Sequence, residues 1–483
     1  MSNLFTPLQE LRALATFIND SIDEIEQVCS KTGKEFPSLH DPSGLEQEEI
    51  FAVPEVAKAS NILVSAASQL VAAVRPPTVT FFCQASLFHI PSALGVAIKA
   101  HVPEILREAG PQGLRVKDIA AFTGINSDKL AHILGLLASN YIFREIIPDT
   151  FTNNRLSAGL DTGKNVKDII ADPGSKYDGT GSRTALWECM TTDGLRSSGH
   201  FADVIFDPQL TNSGEPNHTA FNLAYKTDLP YFGWLSKPEH AYESKRFAVA
   251  MHSISALTAP RVITKGFDWK SLPKGSVVVD VAGGIGSHTM ILAKEFNHLR
   301  YIVQDRAAVM HQEAPRFWNQ ELPEAISSGR VQLQGQNTHD MFGPQPIHNA
   351  AAFFLRAIIH DWSDDYSIKI LSQLRAAATP DTRLIVIDSV IPYACGDHDL
   401  SSNIEGAKNV RPSAPAPLLP NYGVANLMTY LMDMHMTACL NGQERTVPHF
   451  ARIFERSGWK LVRVHTEGHN FHDIKMIGVP AEA

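Results

Sequence analysis

The chain has 483 residues, 44% of them hydrophobic and 19% charged, which describes a folded protein of two or three domains and excludes a disordered or fibrous one. A net charge of −9 repels polyphosphate and argues against nucleic acid as a partner. The five cysteines (Cys29, Cys83, Cys189, Cys395, Cys439) form no CxxC pair, so no disulfide framework and no metal site is expected; free thiols in a reducing, cytoplasmic compartment fit.

In chain order, residues 8–25 place Leu8, Leu11, Ala15, Ile18, Ile22 and Ile25 on one helical face. A second helical pattern, "VPEVAKASNILVSAASQLVAAV", runs to Pro76-Pro77. Residues 1–80 thus read as a helical extension that covers another surface, such as a partner subunit. No apolar run approaches the roughly 18 residues of a bilayer span, and the first helix carries more acids than bases, so no membrane role is expected. "MSNLFTPLQELRAL" lacks a basic stretch followed by an apolar core, so no secretory signal is expected either.

Residues 81–255 form a second, helical region. Within it, "RVKDIAAFTGINSDKLAHILGLLASNYIF" (115–143) reads as helix, turn and helix, with Gly124 ending the first and Asn126 or Ser127 capping the second. "FREIIPDTFTNN" follows as a hairpin, completing a winged-helix outline. The second helix carries one Lys and no Arg, which is poor for reading a DNA groove. A structural or dimerising use of this motif is the better reading.

From 256 to 483 short apolar runs alternate with helical segments. "SVVVDVA", "RYIVQD", "VQLQG", "AAFFLRAII" and "TRLIVIDSV" predict a parallel, doubly wound sheet. "WKLVRVH" and "DIKMIGV" end it as an antiparallel edge hairpin. Residues 394–421, rich in Pro, Ser and Asn, read as a mobile surface insertion.

The first of these runs ends in a glycine turn, "VVVDVAGGIG" (277–286). Gly283, Gly284 and Gly286 let the backbone turn tightly and approach a ligand. Asp305 ends the next run, at the roughly 20-residue distance of an acid that grips ribose hydroxyls. Asp280, beside the turn, would repel a pyrophosphate but suits a cationic sulfonium. The expected cofactor is therefore S-adenosyl-L-methionine.

These stretches, with "HDMF" (339–342), "FFLRAIIHDWSDD" (353–365), "LIVIDSVIP" (384–392) and "NGQERTVPHFARIFERSGW" (441–459), occur in the order seen in one family. The chain resembles the SAM-dependent O-methyltransferases of the plant caffeate and isoflavone type and their fungal secondary-metabolite relatives. The resemblance implies an α/β fold: a doubly wound, seven-stranded Rossmann-like methyltransferase domain behind an N-terminal winged-helix dimerisation domain, assembled as a homodimer through the N-terminal helical region. It implies His360 as the catalytic base, flanked by Asp388 and Glu444. It places Asp305 on the ribose, Asp340 and Met341 against adenine, and Arg356 and Ser255 on the cofactor. Phe247, Met251 and Met436 would line the substrate. Ala282 stands where the pattern has Gly, Asp388 where it has Glu, and Arg356 where it has Lys.

The implied activity is methylation of a phenolic or enolic hydroxyl on an aromatic, polyketide-type secondary metabolite. A phenol, with a pKa of about 10, needs a base at neutral pH, and a histidine near 6.5 is expected to be available as one. The alternative is a SAM-binding pericyclase or cyclase on the same fold, without methyl transfer. Asp361 reads as a loop or N-cap residue ahead of the helix "SDDYSIKIL", and Met428, Met432 and Met436 as core or pocket wall.

Overall fold

The computed structural model describes residues 5–256, 258–335, 340–396, 403–410, 413–467 and 473–482. Its contacts divide the chain into two compact units, 1–203 with 220–257, and 204–219 with 258–483.

The first unit is helical. Helix α1 (Pro7–Thr32) starts at a Thr6–Gln9 capping box and ends at Gly33, whose φ of +67° relieves the last turn. It packs along α2 (Pro54–Val74), with Gln69 Nε2 donating to Glu10 Oε1 at 3.0 Å. Its buried residues are Leu14, Ser21 and Ile25, and Ile25 packs with Ile50, Val56 and Ala59. This face is rotated from the expected stripe, leaving Leu8 and Ile22 in solvent. The expectation that no segment reaches spanning length also needs correction. Pro54–Val74 and Pro77–Lys99, of 21 and 23 residues, are long and apolar enough by length and composition alone. Uncharged Ser60, Asn61, Ser65 and Gln69 interrupt the first run, which hides it from a search for consecutive apolar residues. The second run is broken by a turn at Leu87–Phe88. Val74, Phe81 and Phe82 are exposed.

The winged helix forms as read. Helix α3 (Val116–Thr123) ends at Gly124 (φ +68°), and Asn126 caps α4 (Ser127–Ser139) by accepting the amides of Asp128 and Lys129. Strands Arg144–Ile147 and Thr150–Thr152 make the hairpin, and Leu114–Arg115 pairs with the latter. Leu130, Leu134 and Leu137 turn inward onto Ile105, Ile119 and Phe151, so this second helix spends its apolar face on a core. Further on, α5 (Ala241–Ser255) is held by buried Arg246, which pairs with Glu188 at 3.3 Å and Asp193 at 2.7 Å.

The second unit is built on seven strands: β1 (Val277–Val281), β2 (Arg300–Asp305), β3 (Val331–Gly335), β4 (Ala350–Arg356), β5 (Arg383–Asp388), β6 (Trp459–His465) and β7 (Ile474–Pro480). Their order is β3-β2-β1-β4-β5-β7-β6. The first five are parallel; β7 runs antiparallel between β5 and β6. Alternate residues face opposite layers, as a sheet covered on both faces requires. Val279, Phe353, Leu355 and Val386 pack into one core; Val278, Phe354, Ile385 and Ile387 pack into the other. The strand order reverses between β1 and β4, so their carboxyl ends form the crevice where such sheets bind ligands.

Residues 403–410, within the segment read as a mobile surface insertion, are packed. Glu405 bonds the backbone of Val462 and Val464, and Ala407 and Val410 are buried in the core beneath. They cover the free edge of β6, an unpaired row that would otherwise invite association.

Candidate active site

The ends of β1, β4 and β5 carry the chemistry-bearing residues. Asp280 is buried near the end of β1, accepting the Thr289 hydroxyl at 2.5 Å from the helix α6 (Ser287–Glu295). Burial, together with nearby Asp305, pushes its carboxyl up to about 7. A Cβ on Gly283 would sit 2.3 Å from that carboxylate, while Gly284 and Gly286 have φ of +58° and +83°. Ala282 shares the left-handed region at +56°, a conformation that costs a residue with a Cβ about 1 kcal/mol. Asp305, ending β2, accepts the Gly284 amide at 2.8 Å and so holds the turn from the neighbouring strand. Two acids flank a backbone turn that is open at Gly284, where a Cβ would meet nothing within 4 Å. That donor set fits a cationic nucleoside.

Asp340 is exposed and accepts the Phe342 amide at 3.1 Å; Met341 packs against the core below. His339, in the same motif, lies outside the described residues. Arg356 ends β4, and its Nη2 donates to Asp473 (2.8 Å) and Thr258 (2.6 Å). Its charge is thus paired with Asp473.

His360 sits in a 3₁₀ turn, Ile359–Asp361, just past β4. The segment after helix α9 (Leu427–Leu440) docks onto this turn residue by residue. Asn441 ends the helix in the left-handed conformation (φ +59°). Gly442 follows because a Cβ there would lie 2.2 Å from the His360 carbonyl. The Gln443 amide then donates to that carbonyl at 2.9 Å. Glu444 comes next, and Nδ1 of His360 donates to its Oε1 at 2.9 Å. The side chain of Glu444 is fully buried, and Asp433 fixes its amide at 2.8 Å.

Asp388 behaves differently from Glu444. It is buried at the end of β5, and neither of its carboxylate oxygens has a hydrogen-bond partner among the described residues. It stands where the resemblance has a Glu, one methylene longer. Asp388 therefore acts on His360 through charge, whereas Glu444 holds the ring by a hydrogen bond. Asp361, read as a possible cap, is instead 3.4 Å from His360 Nε2, while Ser363 occupies the N-cap of helix α8 (Asp364–Ala376).

These acids change the expected basicity. Burial alone would lower the His360 pKa, but Glu444 foremost, then Asp361 and Asp388, raise it to about 10 rather than leaving it near 6.5. Burial in turn lifts Asp361 to about 6 and Asp388 to about 7, with His360 opposing both rises. His360, Asp361 and Asp388 thus titrate as a coupled set.

Met436 is buried in the last turns of α9, with its carbonyl accepting the Gly442 amide. Phe247, Met251 and Ser255 lie on α5 of the first unit, where Phe247 packs edge-on to Tyr231 and Phe232 and Met251 is exposed.

Several contributors carry no strong sequence signal. Trp318, on helix α7 (Ala314–Glu321), is fully buried and donates its indole N–H to the Ile285 carbonyl at 2.9 Å. A Cβ on Gly286 would press on that indole at 2.8 Å, so ring and turn fit together. Gln304 and Gln345 exchange two amide bonds of 3.0 Å, tying the segment after Asp340 to β2. A strap from the other half of the sequence, Val204–Thr219, belongs to this unit. Ser363 donates to the Gly214 carbonyl, and Asn441 donates to the carbonyls of Ser213 and Glu215.

The O-methyltransferase domain profile matches residues 211–404, and the O-methyltransferase dimerisation domain profile matches 82–161. An O-methyltransferase of Armillaria gallica is 41% identical over 94% of this chain and 95% of its own length. 4-O-methyltransferase 1 of Phanerochaete chrysosporium is 38% identical over 98% and 99%. The solved structure of OxaC in complex with sinefungin and meleagrin shares the fold, with a TM-score of 0.65 at 18% identity, covering 96% of this chain and 98% of that one. With a mostly parallel seven-stranded sheet behind a helical dimerisation domain, and relatives of this identity along nearly its full length, the chain belongs to the O-methyltransferase family.

Proposed function

We propose that this enzyme methylates a phenolic or enolic hydroxyl of an aromatic, polyketide-type secondary metabolite, with His360 as general base, and works as a homodimer through its N-terminal helical region. The observation that carries the reading is the 2.9 Å bond from His360 Nδ1 to the buried Glu444. It fixes the tautomer, leaves Nε2, which lies 3.4 Å from Asp361, to accept the hydroxyl proton, and stabilises the imidazolium that results. S-adenosyl-L-methionine bound at the β1 turn would supply an electrophilic methyl group, leaving S-adenosylhomocysteine. Asp305 would take the ribose hydroxyls, Asp340 and Met341 the adenine, and Asp280 with Gly283, Gly284 and Gly286 the charged end. Arg356 and Ser255 would complete the cofactor site, and Phe247, Met251 and Met436 the substrate wall.

The raised His360 pKa bears on how the base works. In the free enzyme the ring favours its protonated form at neutral pH, so catalysis draws on the fraction that has passed its proton to the acid cluster. Turnover should therefore climb with pH through the alkaline range.

The test is incubation with methyl-labelled S-adenosyl-L-methionine and a panel of hydroxylated aromatics. Label in the product, with one S-adenosylhomocysteine released per methyl transferred, supports the reading. A rearranged product carrying no label, with no S-adenosylhomocysteine released, establishes the pericyclase alternative instead.

A further inference from the structure

Arg445 has no role in the scheme above, yet its side chain is completely buried and its donors reach every segment that carries the base. Nη1 donates to the Ile359 carbonyl at 2.8 Å, immediately before His360. Nη2 donates to the Trp362 carbonyl at 2.7 Å, two residues after it, and to Ser367 Oγ at 3.2 Å on α8. Nε donates to Asp364 Oδ1 at 3.0 Å, and Nη1 also reaches the Gln443 carbonyl at 3.3 Å. The Arg445 backbone forms a parallel bridge with Val390, and its carbonyl accepts the Ile391 amide at 3.1 Å, just past Asp388. Its preceding residue is Glu444.

We infer that Arg445 is the positioning residue of the base: a rigid guanidinium fork that locks the His360 turn, the Glu444 segment and the end of β5 in one register. This inference rests on His360 being the base. The physical case is geometric. The His360 turn is a single 3₁₀ turn, too short to hold its own shape, and its flanking carbonyls point inward. Buried carbonyls must find donors, and one planar cation reaches both of them at 2.7–2.8 Å, closer than the Ser367 hydroxyl, which lies 3.3 Å from each. A lysine has the charge but not the fork, so it cannot hold two diverging carbonyls and a carboxylate together. The acid supporting the fork, Asp364, is itself bound by His449 Nε2 at 2.7 Å, which ties α10 (Val447–Arg456) into the same clamp.

Arg445→Lys tests this, because it keeps the charge facing Asp364, Asp388, Glu444 and Asp433. The expected result is a folded protein whose kcat falls by about 30-fold or more while the KM for S-adenosyl-L-methionine stays within about threefold. The ascending limb of the pH–kcat profile should also move to lower pH, as the imidazole loses its alignment with Glu444. Asp364→Asn, at a partly exposed position, should shift the limb in the same direction by less, and serves should Arg445→Lys fail to fold. A folded variant with an unmoved limb overturns the inference, whether or not kcat falls, since general destabilisation lowers rate without moving that limb. Turnover of His360→Ala comparable to the parent's would instead refute the base assignment itself, so the two failures are distinct.

Discussion

Glu444→Gln removes one charge, keeps the side-chain shape and leaves the backbone of the clamp alone. The acid cluster raises His360 from 6.5 to about 10, against a burial effect that works the other way. That rise is worth about 5 kcal/mol at roughly 1.4 kcal/mol per unit, and Glu444 is the largest of three contributors, so its share is at least about one unit. His360 and Glu444 are both buried, and solvent screens this interaction little. The sign follows: a raised folded-state pKa keeps the base protonated, so in the parent the ascending limb of the pH–rate profile lies above 6.5. In the variant it moves down by one unit or more. The plateau also falls by about a hundredfold or more, because the carboxamide neither fixes the tautomer nor stabilises the imidazolium. The assay is kcat/KM from about pH 5.5 to about 10 with methyl-labelled cofactor. A limb at the parent's position would refute the electrostatic account, even with a lowered plateau.

Asp388 offers a complementary stability test. Burial lifts its carboxyl from 3.8 to about 7, so the native state holds an extra proton between those values and loses stability as pH rises through them. Asp388→Asn should therefore gain stability over the parent at about pH 8.5, by on the order of 1–3 kcal/mol, and gain little at about pH 4. Equal effects at both pH values in urea unfolding would contradict this. Ala282→Gly should stabilise the protein by about 1 kcal/mol by relieving a left-handed residue at φ +56°. An unchanged urea midpoint would show that the turn is not strained there.

Much of this architecture is legible in the sequence because local chemistry and tertiary structure agree. Gly124 and Asn126 mark the turn between α3 and α4, and they cap those helices as read. The apolar runs at 277–281, 300–305 and 383–388 become strands because sheet faces buried on both sides need no alternation. What the sequence conceals is decided across long separations. The face that α1 buries depends on α2, and no periodicity within α1 distinguishes Leu14 from Leu8. Segment 204–219 looks like part of the helical half, but its bonds go to Ser363, Tyr366 and Asn441. Asp388 and Glu444 look equivalent as two acids near a histidine. One methylene separates a ring-holding carboxylate from one with no hydrogen-bond partner among the described residues. The motif "NGQERT" is recognisable as a string, yet only the three-dimensional docking shows why glycine stands at 442 and arginine at 445.

His360→Ala is the most direct measurement of the catalytic assignment. Calorimetry with S-adenosyl-L-methionine and turnover on an accepted aromatic should be read on the same preparation. Cofactor affinity within about threefold of the parent, with turnover lower by two orders of magnitude or more, is the expected result. Turnover comparable to the parent's, with the cofactor still bound, would show that the hydroxyl proton leaves by another route and that the His360–Glu444 pair is not the engine of the reaction.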